Sequence, residues 1–189
     1  MTADRIGYRS RPKPADLPAL RRLVAAAGVF NGQERAVAFE LLEGWLARGA
    51  KSGYSFFFAE RRGELVGYAA WGDAPLTQCT FDLYWIVVTP AAQGQGIGRA
   101  LLTQVERAVG DRGGGRLYIE TSSRKAYART RRFYRDAGYA EVARLRDYYA
   151  PGDHKVMFCK AIRARVPEPR RPPRAPRRTA ARTLKKSYN

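Results

Sequence analysis

Ile86-Val87-Val88-Thr89-Pro90-Ala91-Ala92-Gln93-Gly94-Gln95-Gly96-Ile97-Gly98-Arg99-Ala100-Leu101-Leu102 decides how this chain is read. An apolar, β-branched run ends at Pro90, and a glycine-rich bend follows. Leu101, Leu102, Val105, Ala108 and Val109 then recur on one face of a helix. The stretch is therefore strand, tight loop, helix. Gly94, Gly96 and Gly98 leave the loop's N–H groups uncovered by side chains. At a helix start, unpaired donors and the helix dipole favour an anion, and a phosphate or pyrophosphate is the natural guest. A Rossmann dinucleotide site is disfavoured on three grounds. Arg99 stands where that pattern needs Gly or Ala, Pro90 to Gln93 separate strand from glycine, and a predicted hairpin precedes the unit. A P-loop is excluded because no Gly-Lys-Ser/Thr follows.

Gln93-Gly94-Gln95-Gly96-Ile97-Gly98 resembles the coenzyme A loop of the GNAT family of N-acetyltransferases, whose pattern is Gln/Arg-x-x-Gly-x-Gly/Ala. The helix that follows in the family often begins Arg-Ala-Leu-Leu, as Arg99 to Leu102 do. Downstream, Phe133-Tyr134-Arg135-Asp136-Ala137-Gly138-Tyr139 is similar to the family's Phe-Tyr-x-x-x-Gly-Phe/Tyr signature. Patterning along the whole chain gives the order β-α-α-β-β-β-α-β-α-β-β, again that of the family. The resemblance spans roughly Tyr8 to Ile162. It implies an α/β (α+β) GNAT fold: a mixed, mostly antiparallel twisted sheet of about seven strands with helices on both faces.

The individual elements follow from local signals. Asp16 is expected to cap a helix lined by Leu17, Leu20, Leu23, Val24 and Ala27 and stopped by Gly28. A second helix starts near Asn31 and is expected to bury Val37, Leu41, Leu42 and Trp45. Tyr54 to Glu60 and Glu64 to Trp71 read as a hairpin turned at Arg61-Arg62-Gly63. On the strand Phe81 to Val88, alternation places Asp82, Tyr84, Ile86 and Val88 on one face. Arg116 to Thr121 is a strand, Tyr127 to Ala137 a helix, and Tyr139–Leu145 and Lys155–Ile162 a final strand pair joined by a polar, aromatic loop.

Bulk numbers bound the class. The 189 residues with 45% hydrophobic content suit one globular domain. No apolar run approaches the ~18 residues of a membrane helix, and the N-terminus has no apolar signal region, so a cytoplasmic protein is expected. Cys79 and Cys159 form no metal or redox motif. The net charge is +18, and from Arg163 onward the chain has ten Lys/Arg against the single Glu168. Residues 1–162 are thus expected to be the catalytic domain, and 163–189 a basic, Pro/Arg-rich tail. That tail is read as a polyanion-binding arm, a contact for lipid or a partner, or a solvated extension.

The resemblance implies an N-acetyltransferase that moves an acetyl group from acetyl-CoA, its acyl-donor substrate, to a primary amine by direct attack in a ternary complex, without a metal. The N–H groups from Gln93 and Gly94 through Gln95, Gly96, Ile97, Gly98 and Arg99 would hold the pyrophosphate. Backbone groups of Ile86, Val87 and Val88 would pair with the pantetheine arm, with an N–H near Val88 polarising the acetyl carbonyl. Tyr134 would protonate the departing thiolate, a phenol near pKa ~10 being close to a thiol near ~8.5. For the base, counting back from Val88 gives Asp82, Glu120 at the end of the next strand is its rival, and the third alternative is that neither serves and solvent takes the proton, as in some family members. Thr130 stands where the family often has Ala, and Tyr127 where it often has Asn, which puts the usual coenzyme contact from that helix in question. His154, the one histidine, reads as a surface residue at a strand start. The competing reading is a coenzyme A-binding or nucleic-acid-associated module that works through the tail. A homodimer is left open.

Overall fold

The computed structural model describes residues 5–165. The elements are β1 (Ile6–Arg9), α1 (Asp16–Ala27), α2 (Gly32–Arg48), β2 (Tyr54–Arg61), β3 (Glu64–Asp73), β4 (Thr80–Val88), α3 (Ile97–Asp111), β5 (Gly115–Ser122), α4 (Ala128–Asp136), β6 (Ala140–Ala150) and β7 (Asp153–Ile162). They form one sheet in the order β1-β2-β3-β4-β5-β7-β6. Only the β4–β5 pair is parallel.

Strand alternation splits the core in two. Phe56, Phe58, Tyr68 and Ala70 face α1 and α2, meeting Leu20, Leu23, Val24, Ala38, Leu41 and Leu42. Ala59, Ala69, Trp71, Phe81, Leu83, Leu117 and Ile119 face α3 and α4, meeting Leu101, Leu102, Val105, Val109 and Tyr134. The sheet is thus sandwiched over its centre, as the family resemblance implies.

Several local expectations are corrected. Asp16 does not cap α1: Ala15 holds the cap position without a side-chain bond, and Asp16 is the first helical residue. Its buried carboxylate instead turns back to the Lys13 N–H at 2.8 Å and the Arg9 guanidinium, whose Nη1 donates at 2.9 Å. An acid in the first turn still complements the dipole. The start near Asn31 holds, with a reciprocal capping box between Asn31 and Glu34. Val37 is exposed and Trp45 half-buried, because Ala38 takes the inward position. The last pair of strands is longer than expected. β6 runs to Ala150 and β7 begins at Asp153, with a register break between Leu145 and Ala150.

One break matters for function. Against β3, Ala70 pairs with Trp85 and Trp71 with Leu83, so Tyr84 is an extra, bulged residue. The bulge reverses the alternation. Tyr84 packs toward the α1–α2 side, whereas Ile86 and Val88 pack toward α3 and α4. The single face predicted for Asp82, Tyr84, Ile86 and Val88 is therefore divided, and sequence alternation carries no signal for an inserted residue.

The described chain passes the expected boundary at residue 162. The Arg165 N–H donates to Gly110 O at 2.9 Å and its Nη1 lies 3.3 Å from Asp111 Oδ1. The basic tail beyond Arg165 lies outside the described residues, and with it the expectations placed on that segment.

Candidate active site

The bulge opens the sheet. β4 and β5 pair only from Thr80–Arg116 to Leu83–Ile119. Beyond that, β5 stays on β7 through Ser122, and β4 stays on β3 through Val88. Tyr84–Val88 and Glu120–Ser122 therefore border a wedge in which neither strand has the other as partner. The Thr89 N–H donates to Val66 O on β3 at 2.9 Å. Because backbone groups alternate along a strand, the Val88 N–H and carbonyl face the other way, into the wedge. The Gln93 side chain donates to Val88 O at 3.1 Å.

At the wedge's end the chain makes a short 3-10 turn, Pro90–Ala92, anchored by buried Ala92. Gly94 and Gly96 have φ of +77° and +79°, which only glycine adopts at no cost. Gly96 is also the N-cap of α3, with no side chain in the way. Ala100 N–H is the residue that closes on Gly96 O, at 2.9 Å, so the N–H groups of Ile97, Gly98 and Arg99 have no acceptor within the helix. These donors and the helix dipole make an anion seat.

Wedge and seat belong to one cleft of about 1610 Å³. It takes in Ile86, Val87, Val88, Gln93, Gly94, Gly96, Ile97, Gly98, Arg99, Thr130, Tyr134 and Glu120. Two expected site residues do not line it. Gln95 braces the loop from outside, donating to Ala91 O at 3.2 Å and accepting from Arg61. Asp82 lies behind Glu120, before the strands diverge, and burial followed by the nearby Glu120 charge pushes its carboxyl up. Arg99 donates to Asp136 O at 2.6 Å, which ties the start of α3 to the end of α4.

Tyr134 is buried among Phe133, Phe158 and Tyr139, with ring centroids 5.3, 5.7 and 6.2 Å away. Burial pushes its phenol well above the usual tyrosine range. Among the described residues nothing hydrogen-bonds its hydroxyl. Opposite, Glu120 forms a 2.7 Å ion pair with the buried Lys155, whose ammonium also sits 4.0 Å over the Tyr148 ring. His154 does not line the cleft, and its Nδ1 accepts from the Asp147 N–H at 3.0 Å.

Sequence reasoning missed a bridge across the cleft. The Tyr127 hydroxyl donates to Glu34 Oε1 at 3.2 Å, while the Arg124 guanidinium reaches the same oxygen at 3.6 Å and Asp153 at 3.2 Å. Ser122 Oγ donates to Asp153 at 2.5 Å. These contacts join α2, β5, α4's lead-in turn and β7, so no local pattern could announce them. Next to Glu34, Tyr127 is pushed up to about 12, mainly by burial. Among the described residues no cluster of His, Cys, Asp and Glu fits a metal ion, and no helix is long and apolar enough to cross a membrane.

A family profile described as an Acetyltransferase (GNAT) domain matches residues 52–141. The ribosomal protein bS18-alanine N-acetyltransferase of Escherichia coli K12 is 30% identical over 127 residues, which cover 66% of this chain and 80% of that enzyme. The chain belongs to the GNAT acetyltransferase family. A solved GNAT-family acetyltransferase from Desulfovibrio desulfuricans is 41% identical, with a TM-score of 0.82 over 84% of this chain and 99% of that one. An acetyltransferase from Salmonella typhimurium, solved with its cofactor acetyl-CoA, shares the fold at 20% identity and a TM-score of 0.65, covering 83% and 94% of the two chains. This GNAT protein is an acyl-CoA-dependent N-acetyltransferase. Its split strands, glycine turn and anion seat fit the acyl donor of that family: an extended arm can add along β4, and a pyrophosphate can meet the α3 N–H groups.

Proposed function

We propose that the cleft transfers acetyl directly from acetyl-CoA to a primary amine entering between the start of α2 and the β6–β7 turn. The single observation carrying this reading is that one cleft takes in the start of α3, the split strands, Tyr134 and Glu120 together. The N–H groups of Ile97, Gly98 and Arg99 hold the pyrophosphate, and the Val88 N–H polarises the acetyl carbonyl. The amine nitrogen bonds to the carbonyl carbon as the carbon–sulfur bond breaks. Glu120, directly or through one water, takes the amine proton. Tyr134 donates to the departing sulfur. Its raised pKa keeps it a protonated donor but weakens its match to a thiol, so its main contribution is a hydrogen bond to the developing thiolate.

Glu120 is favoured over Asp82 as the base because it lines the cleft and Asp82 does not. For the acceptor, the bS18-alanine acetyltransferase relative supports an N-terminal α-amine. The cleft mouth is compatible with it, being bordered by the exposed Tyr149 and the acidic Glu34 and Glu120. Membership of the GNAT acetyltransferase family favours an enzyme over a module that works through the tail.

Gly96→Val tests the coenzyme seat. A branched residue at φ +79° is strained, and its side chain would cover the donors. Calorimetric titration is expected to give roughly tenfold or weaker coenzyme A binding, the equivalent of about 1.4 kcal/mol. Unchanged affinity would move the phosphate elsewhere.

A further inference from the structure

Thr121 carries a hydroxyl that the folded chain leaves alone. The residue is 7% exposed, its Oγ1 is buried, and no hydrogen-bond partner reaches that atom. A buried, unmade hydrogen bond is costly, so folded proteins rarely leave one without a use. Two neighbouring hydroxyls are satisfied: Ser122 by Asp153, and Tyr127 by Glu34 and Val29.

Its position is as telling as its lack of a partner. β5 turns Leu117, Ile119 and then Thr121 toward the α3–α4 layer, at period two. The first two fill the apolar core. Thr121 comes two residues after the last β4–β5 pair, Leu83–Ile119, where the wedge has opened. It lines the same cleft as Tyr134, whose hydroxyl also has no partner among the described residues. Two unpartnered hydroxyls thus border the wedge from the side otherwise made of core.

We propose that Thr121 Oγ1 is a coenzyme-binding group that hydrogen-bonds a polar atom of the pantetheine–thioester arm when the wedge is filled. This rests on the reading of the wedge as the seat of that arm. It assigns to β5 a side-chain contact beyond those that β4 makes with its backbone. Valine has the shape of threonine without the hydroxyl, so Thr121→Val removes only the proposed contact.

The test measures affinity and stability together. Thr121→Val and Thr121→Ala are expected to bind coenzyme A and acetyl-CoA roughly 3- to 10-fold more weakly, the range for one net hydrogen bond, and Thr121→Ser to bind normally. Adenosine 3′-phosphate 5′-diphosphate, which lacks the arm, should bind all of them as it binds the parent protein. The ligand-free Thr121→Val protein should melt at the parent temperature or above it, since an unpaired buried hydroxyl is lost. Unchanged coenzyme A affinity in Thr121→Val, equal weakening toward the armless fragment, or a lowered melting temperature without ligand would each overturn the assignment. Failure of the phosphate seat is distinguishable: Gly96→Val would then leave the fragment's affinity intact, whatever Thr121→Val does.

Discussion

Tyr134→Phe is expected to lower turnover by about 10²-fold while leaving coenzyme affinity within a factor of two or so. General acid catalysis contributes roughly 10²- to 10⁴-fold. The lower end applies here because burial lifts the phenol away from the thiol it serves. The ring stays in place among Phe133, Tyr139 and Phe158, so packing is retained. Removing a hydroxyl that has no protein partner should also leave stability unchanged or slightly raised. Steady-state rates with saturating acetyl-CoA, together with a melting curve, separate the outcomes. Equal turnover would remove Tyr134 from the chemistry. A large fall in stability would make its hydroxyl structural.

Glu120→Gln should have an effect of similar or greater size, roughly 10²- to 10⁴-fold on kcat, if its carboxylate takes the amine proton. Glutamine keeps the length of the side chain but cannot accept a proton. Asp82→Asn is the companion variant, and its effect should be much smaller, since Asp82 does not line the cleft. A reversed order would make Asp82 the base and Glu120 a partner of Lys155 only. Because the Glu120→Gln change leaves the buried Lys155 ammonium without its 2.7 Å anion, melting temperature has to be read beside the rate.

How far the sequence reaches can be judged residue by residue. The strand–loop–helix unit was legible because its signals are local: β-branched residues, Pro90, the glycines and the apolar face of α3 all act within a few positions. The capping box at Asn31 and the stop at Gly28 were legible for the same reason. Asp16 misled because capping and ion pairing use the same carboxylate, and Arg9, held against Phe58 at 4.2 Å, competes for it from β1. The bulge at Tyr84 was not legible: alternation tells faces apart only while the period of two is unbroken. Yet that one extra residue divides β4 from β5 and makes the cleft. The choice between Asp82 and Glu120 hung on it as well, since both precede a turn in face or pairing that only the sheet register reveals. Thr121 did leave a trace. It is the polar member of an otherwise apolar inward series on β5, Leu117, Ile119 and Thr121, and such a break in pattern at a strand end is what marks a functional position. The bridge from Glu34 through Arg124 to Asp153 left none, because its members lie on elements far apart in the chain.

The central claim is that the glycine turn and the split strands hold an acyl-CoA. Thermal unfolding of the purified protein with and without acetyl-CoA, with NAD as the control nucleotide, tests it most directly. At ~100 times its Kd, a ligand bound only by the folded state adds about 2.7 kcal/mol. For a chain of this size that is a rise of about 5–10 °C. The account predicts that rise with acetyl-CoA and none with NAD. No shift with acetyl-CoA, or an equal shift with NAD, would contradict it.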